Sequence, residues 1–197
     1  MDKLLKLNVT NKNEKFNEFL KSGILNMKDE KAYPVLAGGA MRSFINKTED
    51  PNDFDLFIVG DSPELKAKIL AFCDTNYENI FRCPQELMYT YKTPFGKLQL
   101  ICPKIYTSIE DLLDSFDITA GRSAYDGTVL CTFKSFIKSV KKKVLSFHKI
   151  SFPLATMNRM YKYKSYGYSI YEASEQFLRE VNGGFFPEDN LFVHYID

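Results

Sequence analysis

Two stretches of the chain hold side chains whose types and spacing suit phosphate and metal chemistry. They are Val35-Leu36-Ala37-Gly38-Gly39-Ala40-Met41-Arg42 and Asp53-Phe54-Asp55-Leu56-Phe57. Paired glycines after an apolar run let a backbone come close to a ligand, and a helix starting there offers unpaired N–H groups to phosphate. Arg42 lies one turn further on and can reach the same phosphates. In the second stretch an extended chain alternates its side chains. Asp53 and Asp55 therefore share one face, about 7 Å apart along the backbone, while Phe54 and Leu56 turn to the core. Two carboxylates on one strand face repel each other unless a cation sits between them. A divalent ion, Mg²⁺ or Mn²⁺, meets that need, and Mg²⁺ accepts a sparse carboxylate site completed by phosphate oxygens and water. Alone, Gly-Gly after a strand is usually a turn, and Asp-x-Asp is usually a solvated edge. In this order, with Gly38 fifteen residues before Asp53, they point to a metal-assisted polyphosphate site.

The elements that must position these residues can be read from periodicity and punctuation. Residues 13–25 predict an amphipathic helix through Phe16, Phe19 and Leu20. Tyr33 to Ala37 predicts a short strand, residues 40–46 a helix, and Phe54 to Val59 a second strand opened by Asp53. Pro63 to Cys73 suits a helix with Pro at its start. Strands are expected at 77–82, 87–92 and 97–101, the last two joined by a Thr93-Pro94-Phe95-Gly96 turn. Ser108 caps a helix to Leu113. Asp126-Gly127 marks a hairpin. Helices follow at roughly 134–145, 151–166 and 169–182. The expected organisation is an α+β unit over 1–132 and a smaller helical unit over 133–197.

Composition narrows the class further. Of 197 residues, 45% are apolar and 26% charged, the balance of an ordinary globular chain. No apolar run approaches the ~20 residues that cross a bilayer, so no membrane partner is expected. The N-terminus lacks an export-signal core. The four cysteines, Cys73, Cys83, Cys102 and Cys131, form no CxxC pair. They argue against zinc and for reduced thiols in a cytoplasmic setting. Charge is segregated. Glu49, Asp50, Asp53, Asp55, Asp61 and Glu64 crowd one segment, and no acidic residue lies between Asp126 and Glu172, where lysines gather. That suits a protein handling metal and polyphosphate, and equally a pair of solvated faces. Lys141-Lys142-Lys143 is either a phosphate-binding stretch or a solvated helix end. Arg159 and Lys162 share a helix that can face the cleft. Tyr161, Tyr163, Tyr166 and Tyr168 spread around a helix axis, so some pack and others are open to a base.

Gly38-Gly39-Ala40-Met41-Arg42 followed by Asp53-Phe54-Asp55 resembles the signature of the polymerase-β nucleotidyltransferase superfamily. More narrowly, it is similar to the head of bacterial poly(A) polymerases and CCA-adding enzymes, where GGxVRD precedes an acidic-x-acidic strand. Ser115-Phe116-Asp117-Ile118-Thr119-Ala120-Gly121-Arg122-Ser123-Ala124-Tyr125-Asp126 resembles that family's RRDFTINAxAYD motif. Met157 to Gly167-Tyr168 resembles its neck helix, which ends in R-x-G-F. The likeness implies a small mixed β-sheet head with flanking helices, then a helical neck. It implies transfer of a nucleoside monophosphate from a nucleoside triphosphate, ATP among them, to a hydroxyl of RNA, protein or a small molecule. Asp53 and Asp55 would hold the metal. Gly38, Gly39 and Arg42 would hold the triphosphate, with Asp117, Arg122 and Arg159 as further nucleotide contacts. The brevity and the Lys/Asn/Tyr/Phe-rich composition resemble stand-alone heads of phages and mobile elements.

The sequence departs from the family pattern at four places. Ser43 stands where Asp follows the Arg. Ser115-Phe116 replaces the double Arg. The base-reading EDxxR is absent near Ser151 to Ala155. Gln99 falls where a third carboxylate is expected, and Gln cannot carry that charge. These departures leave an alternative, a nucleotidyltransferase fold that binds nucleotide, RNA or a protein partner without turnover.

Overall fold

A computed structural model describes residues 2–47 and 49–170. In chain order the main sheet takes β1 (Leu4–Leu7), β2 (Ala32–Ala37), β3 (Asp53–Gly60), β4 (Glu78–Arg82), β5 (Met88–Thr93), β6 (Gly96–Ile101), β7 (Ser123–Tyr125) and β8 (Leu130–Phe133). Their spatial order is β1-β8-β7-β2-β3-β6-β5-β4. Every pairing is antiparallel except that of β3 with β6. Helices α1 (Glu14–Lys21), α2 (Pro63–Asn76), α3 (Ile109–Asp114), α4 (Lys134–Lys142) and α5 (Pro153–Ser165) flank it. Two short strands, β9 (Val144–Leu145) and β10 (Ser169–Ile170), pair in parallel beyond α4. This is a mixed α+β architecture.

The central strand β3 explains why both faces are covered. Phe54, Leu56 and Ile58 enter one cluster with Phe16 and Phe19 of α1 and Ile69 and Cys73 of α2. Phe57 and Val59 enter the opposite cluster with Leu112 and Leu113 of α3. Phe54 is fully buried and stacks on Phe19 with ring centroids 5.3 Å apart. Truncating such a ring costs roughly 3–5 kcal/mol. The parity of β3 thus follows from its apolar residues, and it carries Asp53 and Asp55 to the α3 side.

Local chemistry sets the element ends. Side-chain oxygens of Asn13, Ser62 and Ser108 accept backbone N–H bonds at the starts of α1, α2 and α3. Each such cap contributes about 1 kcal/mol. Helix α1 stops at Lys21, short of the expected residue 25, because Gly23 takes a left-handed φ of 75° and a 3-10 turn follows. The stretch expected as a helix at 40–46 is instead a 3-10 turn over Gly38–Phe44. There the Ser43 hydroxyl donates to the Ala40 carbonyl, a local bond that competes with regular helix. Asp126 Oδ1 accepts from the N–H groups of Thr128 and Val129 and closes the β7–β8 hairpin. Of the expected helix over 169–182, Ser169 and Ile170 form β10, and the rest lies outside the described residues, as do residues 183–197. Among the described residues no helix is long and apolar enough to cross a membrane.

Candidate active site

The site grows from the junction of β2 and β3. Ala37, the last residue of β2, pairs with Asp55, and Asp55 pairs on its other side with Gln99 of β6. The chain then turns away through Gly38, whose φ of 77° favours glycine. A Cβ built on Gly38 would lie 2.9 Å from Asp55 Oδ2. The carboxylate therefore packs into the space that the missing side chain leaves, and the glycine turn and the strand acid form one unit. Asp53 and Asp55 both line a cavity of about 570 Å³, together with Gly38 and Gly39. That volume falls within the ~300–1,000 Å³ of small-molecule sites. Phe57, Phe116 and Tyr106 line it as well. The Phe57 ring is 5.7 Å from Phe116 and 6.0 Å from Tyr106.

Helix α5 forms the facing wall, and its 3.6-residue period brings a chosen set of side chains to the cavity. Thr156 Oγ1 donates to Asp117 Oδ2, and Arg159 Nε lies 3.5 Å from the same oxygen. Lys162 Nζ lies 3.3 Å from Asp53 Oδ2 across the cleft. Tyr163 is buried beside them, and its ring lies 4.8 Å from the Arg42 guanidinium. The exposed ring of Tyr166 lies 5.3 Å from it. Tyr168 is buried against Tyr163, with centroids 5.1 Å apart, and Tyr161 is exposed. The four tyrosines divide between packing and exposure, but only Tyr161 and Tyr163 lie on α5, which ends at Ser165. Tyr166 caps it and Tyr168 follows, so the expected spread around one helix axis does not hold for all four.

Arg42 reaches the cavity wall, but its Nε donates to Glu49 Oε2 at 2.6 Å. Burial opposes its charge, and the surrounding Tyr163, Glu49 and Tyr168 more than offset that, so the guanidinium is held more firmly protonated than usual. Its role in the structure is to tie the Gly38–Phe44 turn to Glu49 and the tyrosines that follow. Asp50 is taken by Lys15 at 2.7 Å. Arg122 departs from expectation. It is 3% exposed and is not among the cavity-lining residues. Its Nε donates to the Leu113 carbonyl, a second nitrogen pairs with Asp114, and the guanidinium sits 4.0 Å over the Phe133 ring. The physical reason is the C-terminus of α3, whose last carbonyls attract a cation. Lys143, from the lysine run, lines the cavity and donates to the Tyr166 carbonyl. Thr156 had no signal in the sequence that marked it as a site partner, because its bond to Asp117 depends on packing between distant segments, while Glu49 was visible only as one member of the acidic segment and not as the partner of Arg42.

Gln99 is 3% exposed, and its Nε2 lies 4.0 Å from Met88 Sδ. Among the described residues no group of three or more His, Cys, Asp or Glu is clustered to hold a metal. Of the acidic residues lining the cavity, Glu49, Asp50 and Asp117 pair with Arg42, Lys15 and Arg159, and Asp53 and Asp55 share one face of β3. Two hard oxygen donors opening on one cavity fit Mg²⁺ or Mn²⁺ when phosphate oxygens and water complete the shell.

A model of the Gabija anti-defense 2 family matches residues 10–143, more than half of the chain. The chain belongs to the Gabija anti-defense 2 family. The match takes in α1 through α4 and with them Gly38, Gly39, Asp53, Asp55 and Asp117, while the α5 residues lie beyond it. The "Gabija anti-defense 2" protein of Bacillus phage SPbetaL7 is 26% identical over 151 residues, covering 75% of this chain and 36% of that protein. The family member described here thus spans about a third of the length of that relative. Among solved structures, the CCA-adding enzyme of Thermotoga maritima complexed with tRNA aligns with a TM-score of 0.62 at 14% identity, over 89% of this chain and 45% of that one. A CCA-adding enzyme in complex with ATP aligns at 0.61 and 13% identity, over 84% and 42%. A tRNA-processing enzyme aligns at 0.59 and 16% identity, over 89% and 49%. At these identities the likeness is one of fold, and the fold of this family member is nucleotidyltransferase-like.

Proposed function

We propose that this Gabija anti-defense 2 family protein is a metal-dependent nucleotidyltransferase, which moves a nucleoside monophosphate from a nucleoside triphosphate to a hydroxyl acceptor. The observation that carries this reading is the pairing of Asp53 and Asp55 on one face of β3, packed against the Gly38 turn and open to the cavity. Asp53 and Asp55 would hold Mg²⁺ or Mn²⁺. The bound ion would supply positive charge against the triphosphate and lower the pKa of the attacking hydroxyl. Gly38 and Gly39 give the triphosphate a close approach to backbone. Arg42 braces that turn through Glu49 and the tyrosines. Asp117, held by Thr156 and Arg159, offers a fixed carboxylate to the sugar or base. Phe57 and Phe116, which line the cavity, would give the reacting phosphate an apolar surround poor in water. Catalysis of this type is chiefly positioning and charge neutralisation.

The fold neighbours whose titles name ATP and tRNA support nucleotide as donor and make RNA one candidate acceptor, beside protein and small molecules. The transfer would serve the counter-defence role that the family name describes. Gln99, at the register position beside Asp55, favours a second reading in which nucleotide is bound without turnover. Incubation with each labelled nucleoside triphosphate, Mg²⁺ or Mn²⁺, and cellular RNA and protein separates the two. Label in either fraction, lost in the Asp53→Ala, Asp55→Ala variant, supports transfer and names the acceptor class. Metal-dependent binding without incorporation supports the second reading.

A further inference from the structure

Lys162 occupies a place that nothing in the motifs explains. It is 109 residues from Asp53, on the opposite wall of the cleft, and its ammonium is 3.3 Å from Asp53 Oδ2. Both side chains are about one-third exposed, 32% and 30%. They meet inside the cavity, not on the outer surface. The neighbouring turn of α5 repeats the arrangement, with Arg159 against Asp117. The head thus presents acids and α5 presents cations, pair by pair. Asp53 and Asp55 repel each other as a pair, and Lys162 is a cation placed where it relieves that repulsion.

Resting on the proposed metal role of Asp53 and Asp55, we propose that Lys162 is the internal counter-ion of that carboxylate pair. It holds the pair charge-balanced before ligand arrives and competes with a divalent ion for Asp53. With metal and triphosphate bound together, Lys162 would give up Asp53 and pair instead with the phosphates held at the facing Gly38-Gly39 turn. Metal alone then binds weakly, because it must displace Lys162 and leave the ammonium near a dication. Metal with triphosphate binds well, because the displaced ammonium gains a new anionic partner. Lys162 is on this account a positioning residue that couples the two ligands. The stem of Lys162 has no part in the effect, so its charge can be removed with its bulk kept.

The test is binding of Mn²⁺ alone, read from the free-ion electron paramagnetic resonance signal, in wild type, Lys162→Met and Lys162→Arg. Lys162→Met is expected to bind Mn²⁺ about five- to tenfold more tightly than wild type, and Lys162→Arg to stay near wild type. With Mn²⁺ present, Lys162→Met should bind a non-hydrolysable nucleoside triphosphate several-fold more weakly. A packing role would move neither value in this charge-dependent way. Mn²⁺ binding by Lys162→Met that is no tighter than wild type overturns the proposal. Adding Asp53→Ala and Asp55→Ala to Lys162→Met tests the reading beneath it. If Mn²⁺ binding survives there, the carboxylate pair is not the metal site, and the parent reading fails on its own account.

Discussion

Asp55 and Gly38 depend on each other through an absent side chain. The carboxylate occupies the space next to the Gly38 Cα, and the left-handed backbone there already disfavours other residues. Gly38→Ala should therefore lower stability by about 1–2 kcal/mol through backbone strain. It should lower transfer far more than that loss implies, since the new methyl displaces Asp55. Thermal melting and initial rates measured on the same preparation check the two parts. Glu49 plays a different role. Its side chain is 19% exposed, and it receives the 15%-exposed Arg42. Glu49→Ala leaves that guanidinium without its carboxylate and should cost roughly 2–4 kcal/mol in urea unfolding. His148 gives a pH signature. Burial, aided by the nearby Arg122, pushes its imidazole below the ordinary histidine value, although Asp114 opposes the shift. The unfolded chain then takes up the proton more readily than the folded one. The contribution of His148 to stability is thus present above the ordinary histidine pKa and is lost as pH falls through the lowered one. His148→Gln should flatten the decline in stability between about pH 7 and 5, as seen in denaturation midpoints across that range.

At the scale of elements, β3 shows what the sequence could disclose. Its alternating Phe54, Leu56 and Ile58 fixed the parity, and parity alone placed Asp53 and Asp55 together on the other face. The caps at Ser62 and Ser108 and the hairpin at Asp126-Gly127 were legible because their signals are local. Strand β1 was not legible, since Leu4–Leu7 becomes a strand only by pairing with β8, over a hundred residues away. The β9–β10 ladder escaped for the same reason. Arg122 misled because its motif position suggests a nucleotide, while the end of α3 captures it first. Lys162 and Arg159 were visible as cations on a helix, but their acidic partners depend on how α5 docks. Helix α2 offers a direct check of packing. Cys73 on its inner face is fully buried, and burial pushes its thiol up to about 12. In native protein a thiol-reactive dye should label Cys83 readily, and Cys73 only after denaturant is added. Rapid native labelling of Cys73 would contradict the packing of α2 against the sheet.

At the scale of the whole molecule, the charge segregation read from the chain resolves into two walls of one cleft. Asp53, Asp55 and Asp117 lie on the head side, and Arg159, Lys162 and Lys143 line the other. The outer lysines of α4 remain exposed. A cleft with opposed charge can hold a metal at the head acids and offer the phosphates at the Gly38 turn cations from the facing wall. The reaction class follows from where the label of a nucleoside triphosphate ends. Nucleotidyl transfer carries the α-phosphate to the acceptor and releases pyrophosphate, whereas phosphoryl transfer would carry the γ-phosphate and release a diphosphate. The most direct measurement is therefore a paired assay with α- and γ-labelled nucleoside triphosphates in Mg²⁺ or Mn²⁺, using wild type and the folded Asp53→Ala, Asp55→Ala variant. The account predicts α-label on the acceptor, pyrophosphate released in equal amount, and neither from the variant. Equal incorporation by the variant, or γ-label on the acceptor, would contradict it.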